Sequence, residues 1–254
     1  MKNVTCRILG LNISVTNMVD TVETLIKNIE YLRGKYICVS NVHTTVMSYK
    51  DKSYANVQNN AAFILPDGKP LSVVSRLYGY REAQRVAGPD LMLELMAAST
   101  KYNYGHYLYG TTEDTLNKLK AELLELYPTL NIVGMYAPPF RELTVEEDNK
   151  IVNQINSVKP DFVWVALGAP KQERWMFEHQ GKVNAVMIGV GAAFDFHAKT
   201  IKRAPKWVQN IGFEWFYRMS QDPKRLVKRY LTTNFVFLYE VIKERMARCF
   251  KSRE

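Results

Sequence analysis

Short apolar runs that end in glycine or polar residues recur between residues 36 and 190, and stretches with helical periodicity lie between them. Strands that alternate with helices at short spacing are typical of βαβ units, because two parallel strands need a crossover connection. The sequence therefore predicts an α/β fold, a Rossmann-like, largely parallel sheet with helices on both faces. The predicted strands cover residues 4–9, 36–39, 61–65, 105–109, 131–135, 161–167 and 183–190.

Helices are predicted where apolar residues recur every three or four positions. One of them covers residues 17–32 and ends before Gly34. The polar segments 40–44 and 168–173 follow strands and are predicted as loops. Further helices are predicted over residues 71–78, 91–98, 111–127 and 144–158.

The strand signal disappears after residue 203, and helices are predicted at residues 207–219 and from 224 to about 248. We therefore predict two parts. The first is an α/β domain, residues 1–200, and the second is a basic α-helical C-terminal appendage, residues 201–254.

The charge of the chain is concentrated in this appendage. Residues 1–198 contain 20 Lys and Arg against 20 Asp and Glu, whereas residues 199–254 contain 14 basic and 5 acidic residues, which gives the whole net charge of +9. Such asymmetry predicts an anionic partner: a membrane surface, a nucleic acid or a phosphorylated substrate. A solvated helical face is the alternative, although such faces usually carry both signs.

The second predicted helix of the appendage also contains apolar residues between basic ends. A basic amphipathic helix of this kind can lie in the headgroup region of a membrane without crossing it. The sequence therefore predicts membrane docking through one apolar cluster, formed by Phe235, Phe237, Leu238, Val241 and Ile242.

Cysteine usage and missing motifs exclude several classes of protein. Cys6, Cys38 and Cys249 are scattered, and no C-x-x-C pair indicates a disulfide framework or a zinc site. The N-terminal residues lack the pattern of a signal peptide, so a reducing, cytosolic setting is expected. H-E-x-x-H, D-x-D, the P-loop motif and a full dinucleotide fingerprint are absent. The sequence predicts neither a metal ion nor a bound cofactor.

Asp67 is the main catalytic candidate, because it follows the strand at residues 61–65 and precedes a helix. In open α/β sheets, ligands bind outside the carboxyl ends of the strands. A carboxylate there can take a proton from a hydroxyl nucleophile. Most Asp residues at helix starts are caps, so position alone favours a capping role for Asp67.

Other candidates also follow predicted strands. The turn from Gly189 to Gly191 would let backbone N–H groups approach a phosphate. Lys171 and Arg85 could neutralise phosphate charge, although Lys171 fits a surface position equally well. His43 could act as a ligand or a base, but a structural hydrogen-bonding role is the more common one.

Seven motifs occur in an order that resembles the WecG/TagA/CpsF glycosyltransferases, glycosyltransferase family 26. The resemblance covers nearly the whole chain. The motifs are NVHT (41–44), LPDGKPL (65–71), RVAGPDLM (85–92), YAPPF (136–140), GAPKQE (168–173), GVGAAFDF (189–196) and RAPKW (203–207).

The resemblance implies roles for particular residues. Asp67 matches the family's proposed general base, which reverses the odds from position alone. The α/β domain would be catalytic, and arginines of the appendage would reach a lipid diphosphate at the membrane; the candidates are Arg218, Arg225 and Arg229. Family members often have Thr where this chain has Val39, so one hydroxyl contact is missing. The implied substrate-binding residues are Asn41, Thr44, Arg85, Lys171, Gln172, Gly189, Gly191 and Asp195.

The resemblance further implies transfer of a sugar, with inversion and without a bound metal, from a UDP-sugar to a polyprenyl (undecaprenyl)-diphosphate-linked sugar. N-acetylmannosamine is the expected sugar, and UDP-glucose and UDP-N-acetylmannosaminuronic acid are the alternative donors. The expected place is the cytoplasmic face of the membrane, bound peripherally to an anionic surface, without nucleic acid, in cell-surface polysaccharide or teichoic acid synthesis. Homo-oligomerisation stays open. A basic scaffold that binds a membrane or nucleic acid without catalysis is the alternative from another class.

Overall fold

The computed structural model describes residues 3–251, except for the side chains of Asn210, Arg225 and residues 249–251. Its strands are β1 (Thr5–Ile8), β2 (Leu11–Ser14), β3 (Tyr36–Ser40), β4 (Phe63–Pro66), β5 (His106–Gly110), β6 (Ile132–Tyr136), β7 (Phe162–Ala166) and β8 (Val186–Gly189).

Helices connect the strands and form the C-terminal part of the chain. The first six are α1 (Met18–Lys27), α2 (Ile29–Leu32), α3 (Val42–Lys50), α4 (Lys52–Asn59), α5 (Lys69–Leu77) and α6 (Gly88–Ser99). The others are α7 (Glu113–Leu126), α8 (Val145–Ser157), α9 (Lys171–Glu178), α10 (Ala193–His197), α11 (Lys206–Ile211), α12 (Glu214–Gln221) and α13 (Pro223–Lys251).

Six strands form one sheet in the order β4-β3-β8-β7-β5-β6, and every neighbouring pair is parallel. All carboxyl ends therefore lie at the same edge of the sheet. The ends of β4, β3, β8 and β7 lie side by side there, since Ser40 pairs with Pro66, Cys38 with Gly189 and Val165 with Gly189. The predicted α/β class and the parallel sheet are confirmed.

Side chains of β3 alternate between two cores, as expected for a strand that is buried on both faces. Ile37 and Val39 belong to the core formed with α1, α6, α7 and α10. Tyr36 and Cys38 belong to the core formed with α3, α5, α8, α9, α13 and the β1–β2 hairpin. The predicted helices on both faces are thus confirmed.

Helix α13 packs along the second core, and hydrogen bonds tie it to the β1–β2 hairpin on the C-terminal side of this contact. Phe237 and Val241 are buried there. The carboxylate of Glu244 accepts a hydrogen bond from the backbone N–H of Leu9 at 3.2 Å, and Arg248 donates to the carbonyl of Arg7 at 2.6 Å. The boundary at residue 200 stays a prediction.

Several local predictions need correction. The predicted strand 4–9 is the first half of a hairpin, because Leu9 and Gly10 both have positive φ and make a two-residue turn into β2. The predicted helix 17–32 is interrupted at Asn28, whose side chain donates to the carbonyl of Thr24 at 2.9 Å and ends α1. Both predicted loops after strands contain the start of a helix, α3 and α9 respectively.

The appendage differs from its prediction at two places. Residues 207–219 form two helices, because Gly212 adopts a left-handed conformation (φ +87°) that ends α11. The predicted apolar cluster on α13 is divided between two faces. Phe237 and Val241 are buried, whereas Phe235, Leu238 and Ile242 are exposed.

Candidate active site

The candidate site lies at the carboxyl edge, where β3 and β8 are neighbours and the chain leaves them on opposite faces of the sheet. After β3 it enters α3, which packs in one core, and after β8 it enters α10, which packs in the other. A crevice between diverging connections is the usual ligand site of an open α/β sheet. The segments that follow β3, β4 and β8 border this crevice, and they contain Asn41, Asp67 and Gly191, respectively.

Asp67 follows β4 and does not cap the next helix. The N-cap of α5 is Gly68, with no side-chain hydrogen bond to it from any described residue. The backbone N–H of Asp67 donates to the carbonyl of Ser40 at 2.8 Å, which fixes the residue beside the end of β3. About a quarter of its side chain (26%) is exposed, so the carboxylate is within reach of a ligand.

Arg85 is held against Asp67 by two contacts of its own loop. The backbone N–H of Val86 donates to the carbonyl of Pro66 at 2.8 Å, and Arg85 Nε donates to the carbonyl of Asp67 at 2.5 Å. One terminal nitrogen of Arg85 lies 3.6 Å from Asp67 Oδ1. Burial raises the pKa of Asp67, and the nearby Arg85 opposes that rise. A carboxyl with a raised pKa at a crevice suits a proton acceptor.

A residue of the appendage, Glu214, completes this charged group. Its carboxylate accepts from Arg85 at 2.5 Å and from Arg203 Nε at 3.2 Å. Arg203 in turn makes a bidentate pair with Asp90, with both distances at 2.7 Å. Sequence reasoning missed Glu214. The available signal was that it is one of only five acidic residues in the basic C-terminal segment.

Asn41 and Thr44 form a reciprocal cap at the start of α3. Asn41 Oδ1 accepts from the backbone N–H groups of His43 and Thr44 at 3.0 and 3.3 Å, and Thr44 Oγ1 accepts from the backbone N–H of Asn41 at 2.9 Å. Thr44 is buried, and its hydroxyl also donates to the Asn41 carbonyl. The pair shapes the loop beside Asp67, and direct substrate contact by either residue stays a prediction.

His43 is half-buried at the same helix start. Burial, together with the nearby charge of Arg229, lowers the pKa of His43 to about 4. The imidazole is therefore neutral at physiological pH. Since Arg229 of α13 lies close enough to affect His43, Arg229 lies near the start of α3, beside the crevice.

Gln172 and the glycine turn after β8 lie against each other. Gln172 is only 4% exposed, and its Nε2 donates to Glu173 Oε1 at 2.8 Å. A Cβ added to Gly189 would lie 3.1 Å from Gln172 Nε2 and 2.7 Å from the methyl group of Met176. Only glycine allows this approach. Gln172 Oε1 is buried and has no hydrogen-bond partner among the described residues, so it can accept a hydrogen bond from a ligand.

Two other predicted substrate residues lie on the helices that follow β7 and β8. Lys171 lines a cavity of about 360 Å³ between the β6–α8 loop, α8 and α9, together with Tyr109, Asp148 and Trp175. Asp195 lies half-buried in α10, and its carbonyl accepts from the Thr200 hydroxyl at 3.1 Å. Their contact with a substrate stays a prediction.

Of the three predicted lipid-diphosphate arginines, two can be placed. Arg218 in α12 lies over the ring of Phe196 in α10, with the guanidinium carbon 5.3 Å from the ring centroid. Arg229 lies near His43, as described above. The side chain of Arg225 lies outside the described residues. The two placed arginines thus lie near the α/β domain at α10 and at the start of α3, respectively.

The described part of the chain offers neither a cluster of metal ligands nor a membrane-spanning helix. Within residues 3–251, no group of three or more His, Cys, Asp and Glu side chains could hold a metal ion. None of the helices described there is long and apolar enough to cross a membrane.

Comparison with known proteins defines the class. Residues 6–250 match the model of the glycosyl transferase WecG/TagA/CpsF family, and the chain belongs to this family. The chain is thus a glycosyltransferase, which confirms the prediction of an enzyme over a non-catalytic scaffold.

Two relatives make the comparison more specific. A Bacillus subtilis (strain 168) protein is 32% identical over 216 residues, which cover 85% of this chain and 82% of that protein. A Staphylococcus aureus (strain MW2) protein is 27% identical over 233 residues, which cover 91% and 89% respectively. Both are named N-acetylglucosaminyldiphosphoundecaprenol N-acetyl-beta-D-mannosaminyltransferase.

Proposed function

We propose that the protein transfers N-acetylmannosamine, with inversion, from a UDP-sugar to N-acetylglucosamine on a polyprenyl diphosphate. The names of the two relatives state this sugar and this acceptor. The observation that carries the proposal is the Asp67 carboxylate, which caps no helix and lies partly exposed between Arg85 and the end of β3. UDP-glucose and UDP-N-acetylmannosaminuronic acid are the alternative donors.

In the proposed reaction, Asp67 accepts the proton of the attacking acceptor hydroxyl. Inverting transfer is a single displacement, in which the hydroxyl forms a bond to the anomeric carbon while the bond to UDP breaks on the opposite face. A hydroxyl is a weak nucleophile at neutral pH, so a positioned base accelerates the attack. The raised pKa of Asp67 supports this role, because a stronger base takes the proton more readily.

The leaving diphosphate gains negative charge as the bond breaks, and fixed donors and cations stabilise such charge. In the turn from Gly189 to Gly191, the backbone N–H groups of Val190 and Gly191 already donate to the Val165 carbonyl at 2.9 and 3.4 Å. Gln172 Oε1 lies against this turn and, as an acceptor, can bind a hydroxyl group of the UDP-sugar. Arg85 provides the nearest described cation to Asp67. We propose that these groups bind the donor and that no metal ion takes part.

The test is Asp67→Asn, which keeps the shape of the side chain and removes the base. Turnover with a UDP-sugar and a short lipid-diphosphate acceptor should fall by about 10²–10⁴-fold, the usual contribution of general-base catalysis. UDP affinity, measured by calorimetry, should stay the same. Asp114→Asn, on the exposed face of α7, is the matched control and should leave turnover unchanged. Wild-type turnover in a folded Asp67→Asn variant would refute the assignment.

We further propose that the appendage docks peripherally on the cytoplasmic face of an anionic membrane. The support is a group of exposed apolar side chains in the same segment that carries 14 of the 34 Lys and Arg residues of the chain. Each Lys or Arg close to an anionic surface contributes about 1 kcal/mol. The exposed group comprises Trp207, Ile211, Phe213, Phe216, Val227, Leu231, Phe235, Leu238, Tyr239, Ile242 and Met246.

Liposome flotation tests this docking. The protein should float with vesicles that contain anionic lipid and should float less as salt rises, because screening shortens to about 8 Å near physiological ionic strength. Leu238→Ser with Ile242→Ser should reduce flotation. A matched pair on the body, Val19→Ser with Tyr31→Ser, also removes exposed apolar side chains and should have no effect. Equal flotation of both double variants would contradict docking through α13.

A further inference from the structure

We propose that Glu214 is a positioning residue for sugar transfer, whose carboxylate holds the Arg85 guanidinium away from the Asp67 carboxylate. Glu214 does not touch the reacting atoms in this role. It acts through Arg85. Because Glu214 is the first residue of α12, this contact connects α12 to the carboxyl edge of the sheet. The inference rests on the proposed role of Asp67 as the base.

The distances around Arg85 show a competition between two carboxylates. Its terminal nitrogen Nη2 lies 2.5 Å from Glu214 Oε2 and 3.6 Å from Asp67 Oδ1. The first distance is a charge-assisted hydrogen bond, and the second is too long for a hydrogen bond. Because Nε is bound to the Asp67 carbonyl, Arg85 stays beside Asp67 while its end is drawn toward Glu214.

Glu214 is itself held in place from the other side. Its second oxygen accepts from Arg203 Nε at 3.2 Å, and Asp90 on α6 fixes Arg203 through two hydrogen bonds of 2.7 Å. The charges of Asp67, Arg85, Glu214, Arg203 and Asp90 therefore alternate in sign along the chain of contacts. All five side chains are partly buried, so these contacts are less screened than surface pairs.

Local backbone geometry brings Glu214 to this position. The left-handed conformation of Gly212 ends α11 and turns the chain into α12 two residues later. A Cβ added to Gly212 would lie 3.1 Å from the Lys69 side chain, at the start of α5. The turn thus lies against the segment that follows Asp67.

Without the Glu214 charge, Arg85 Nη2 is free to close the gap to Asp67 Oδ1 from 3.6 Å to a hydrogen-bond distance. An opposite charge at contact favours the ionised carboxylate and lowers its pKa. At present, burial raises the pKa of Asp67, Arg85 and Arg203 lower it, and Glu214 and Asp90 raise it. A carboxylate with a lower pKa is a weaker proton acceptor.

The experiment compares the full chain with Glu214→Gln, Glu214→Asp and the control Glu146→Gln. Glu146 is exposed on α8, so Glu146→Gln removes one negative charge at a position distant from the site. The two readouts are the pKa of Asp67, from a ¹³C NMR titration of carboxyl groups, and the pH dependence of kcat. Folding of each variant is checked by near-UV circular dichroism.

In Glu214→Gln, the pKa of Asp67 and the acid limb of kcat should both move to lower pH by about 1 unit, the low end of the effect of a contacting cation. The plateau of kcat should fall by up to about tenfold per unit of lost basicity. Glu214→Asp keeps the charge on a shorter side chain that reaches Arg85 less closely, and it should give about half of each change. If Glu214→Gln does not fold, the titration of Glu214→Asp decides alone, with a smaller shift in the same direction.

Unchanged Asp67 titration in folded Glu214→Gln, or in Glu214→Asp where that variant decides alone, would overturn the proposal, as would an equal shift in Glu146→Gln. These outcomes are separate from a failure of the proposed function. In that case Asp67→Asn would retain wild-type turnover, whereas the NMR titration would still report whether Glu214 controls Asp67.

Discussion

The two phenylalanines of α13 at positions 235 and 237 provide a test of how this helix packs. Phe237 is 6% exposed and lies in the second core, whereas Phe235 is 70% exposed. Both sit on the same helix, and Ala has a higher helix propensity than Phe. Phe237→Ala and Phe235→Ala thus differ mainly in the apolar area that each removes from the folded protein.

The expected magnitudes follow from burial. A fully buried Phe removes about 200 Å² from water, and burial contributes about 25 cal/mol per Å². By this measure Phe237 contributes about 4–5 kcal/mol, and Phe235 about 1.5 kcal/mol at most. Phe237→Ala also leaves a cavity, which fits the usual loss of about 3–5 kcal/mol for such a change.

Urea unfolding without lipid, followed by circular dichroism, measures the difference. Phe237→Ala should lower the free energy of unfolding about 3 kcal/mol more than Phe235→Ala does. Amide hydrogen exchange should separate local release of α13 from global unfolding, because release raises exchange in residues 223–248 alone. Equal losses in the two variants, or a larger loss for Phe235→Ala, would refute the orientation of the helix.

Three further predictions concern metal dependence, pH and the turn after α11. Turnover should survive chelator treatment, and loss that magnesium or manganese restores would contradict this. Burial lowers the pKa of His106 in the folded protein to about 3, so below about pH 6.5 only the unfolded state binds a proton at this imidazole. As the pH falls from about 6.5 to about 3, this group should lower the free energy of unfolding by about 1.4 kcal/mol per pH unit. His106→Gln should reduce that slope in urea titrations. Gly212→Ala should lower Tm and kcat, whereas Gly79→Ala, with similar positive φ and open space, should lower Tm alone.

The strands and the catalytic edge were predictable because both depend on local pattern. Buried parallel strands are apolar throughout, and the residues that follow them are polar or glycine wherever a ligand or a tight turn is needed. Asp67 and the glycine turn after β8 were found in this way. The strand β2 was not, because Leu9-Gly10 is an uncommon sequence for a two-residue hairpin turn.

The division of α13 into two faces could also have been predicted. Residues on one face of a helix recur every three or four positions. Leu231, Phe235, Leu238, Ile242 and Met246 follow this spacing and are exposed, and Phe237 and Val241, four residues apart, are buried. Grouping apolar residues by nearness in sequence combined two faces with different environments: one packs on the body, and the other is available for a membrane.

The acidic character of Glu214 in a basic segment was visible in the sequence, but its contacts could not be found from pattern, because they depend on which distant residues the fold brings together. Arg85 and Glu214 are 129 residues apart, and Asp90 and Arg203 are 113 residues apart. Net charge also hides such a residue, since one acid hardly changes a segment with 14 basic side chains. In a basic segment that faces an anionic surface, however, an acidic side chain weakens the attraction. The side chain of Glu214 points instead to Arg85 and Arg203, near the proposed base Asp67, where a negative charge is stabilised, and this explains why an acidic residue fits at that position.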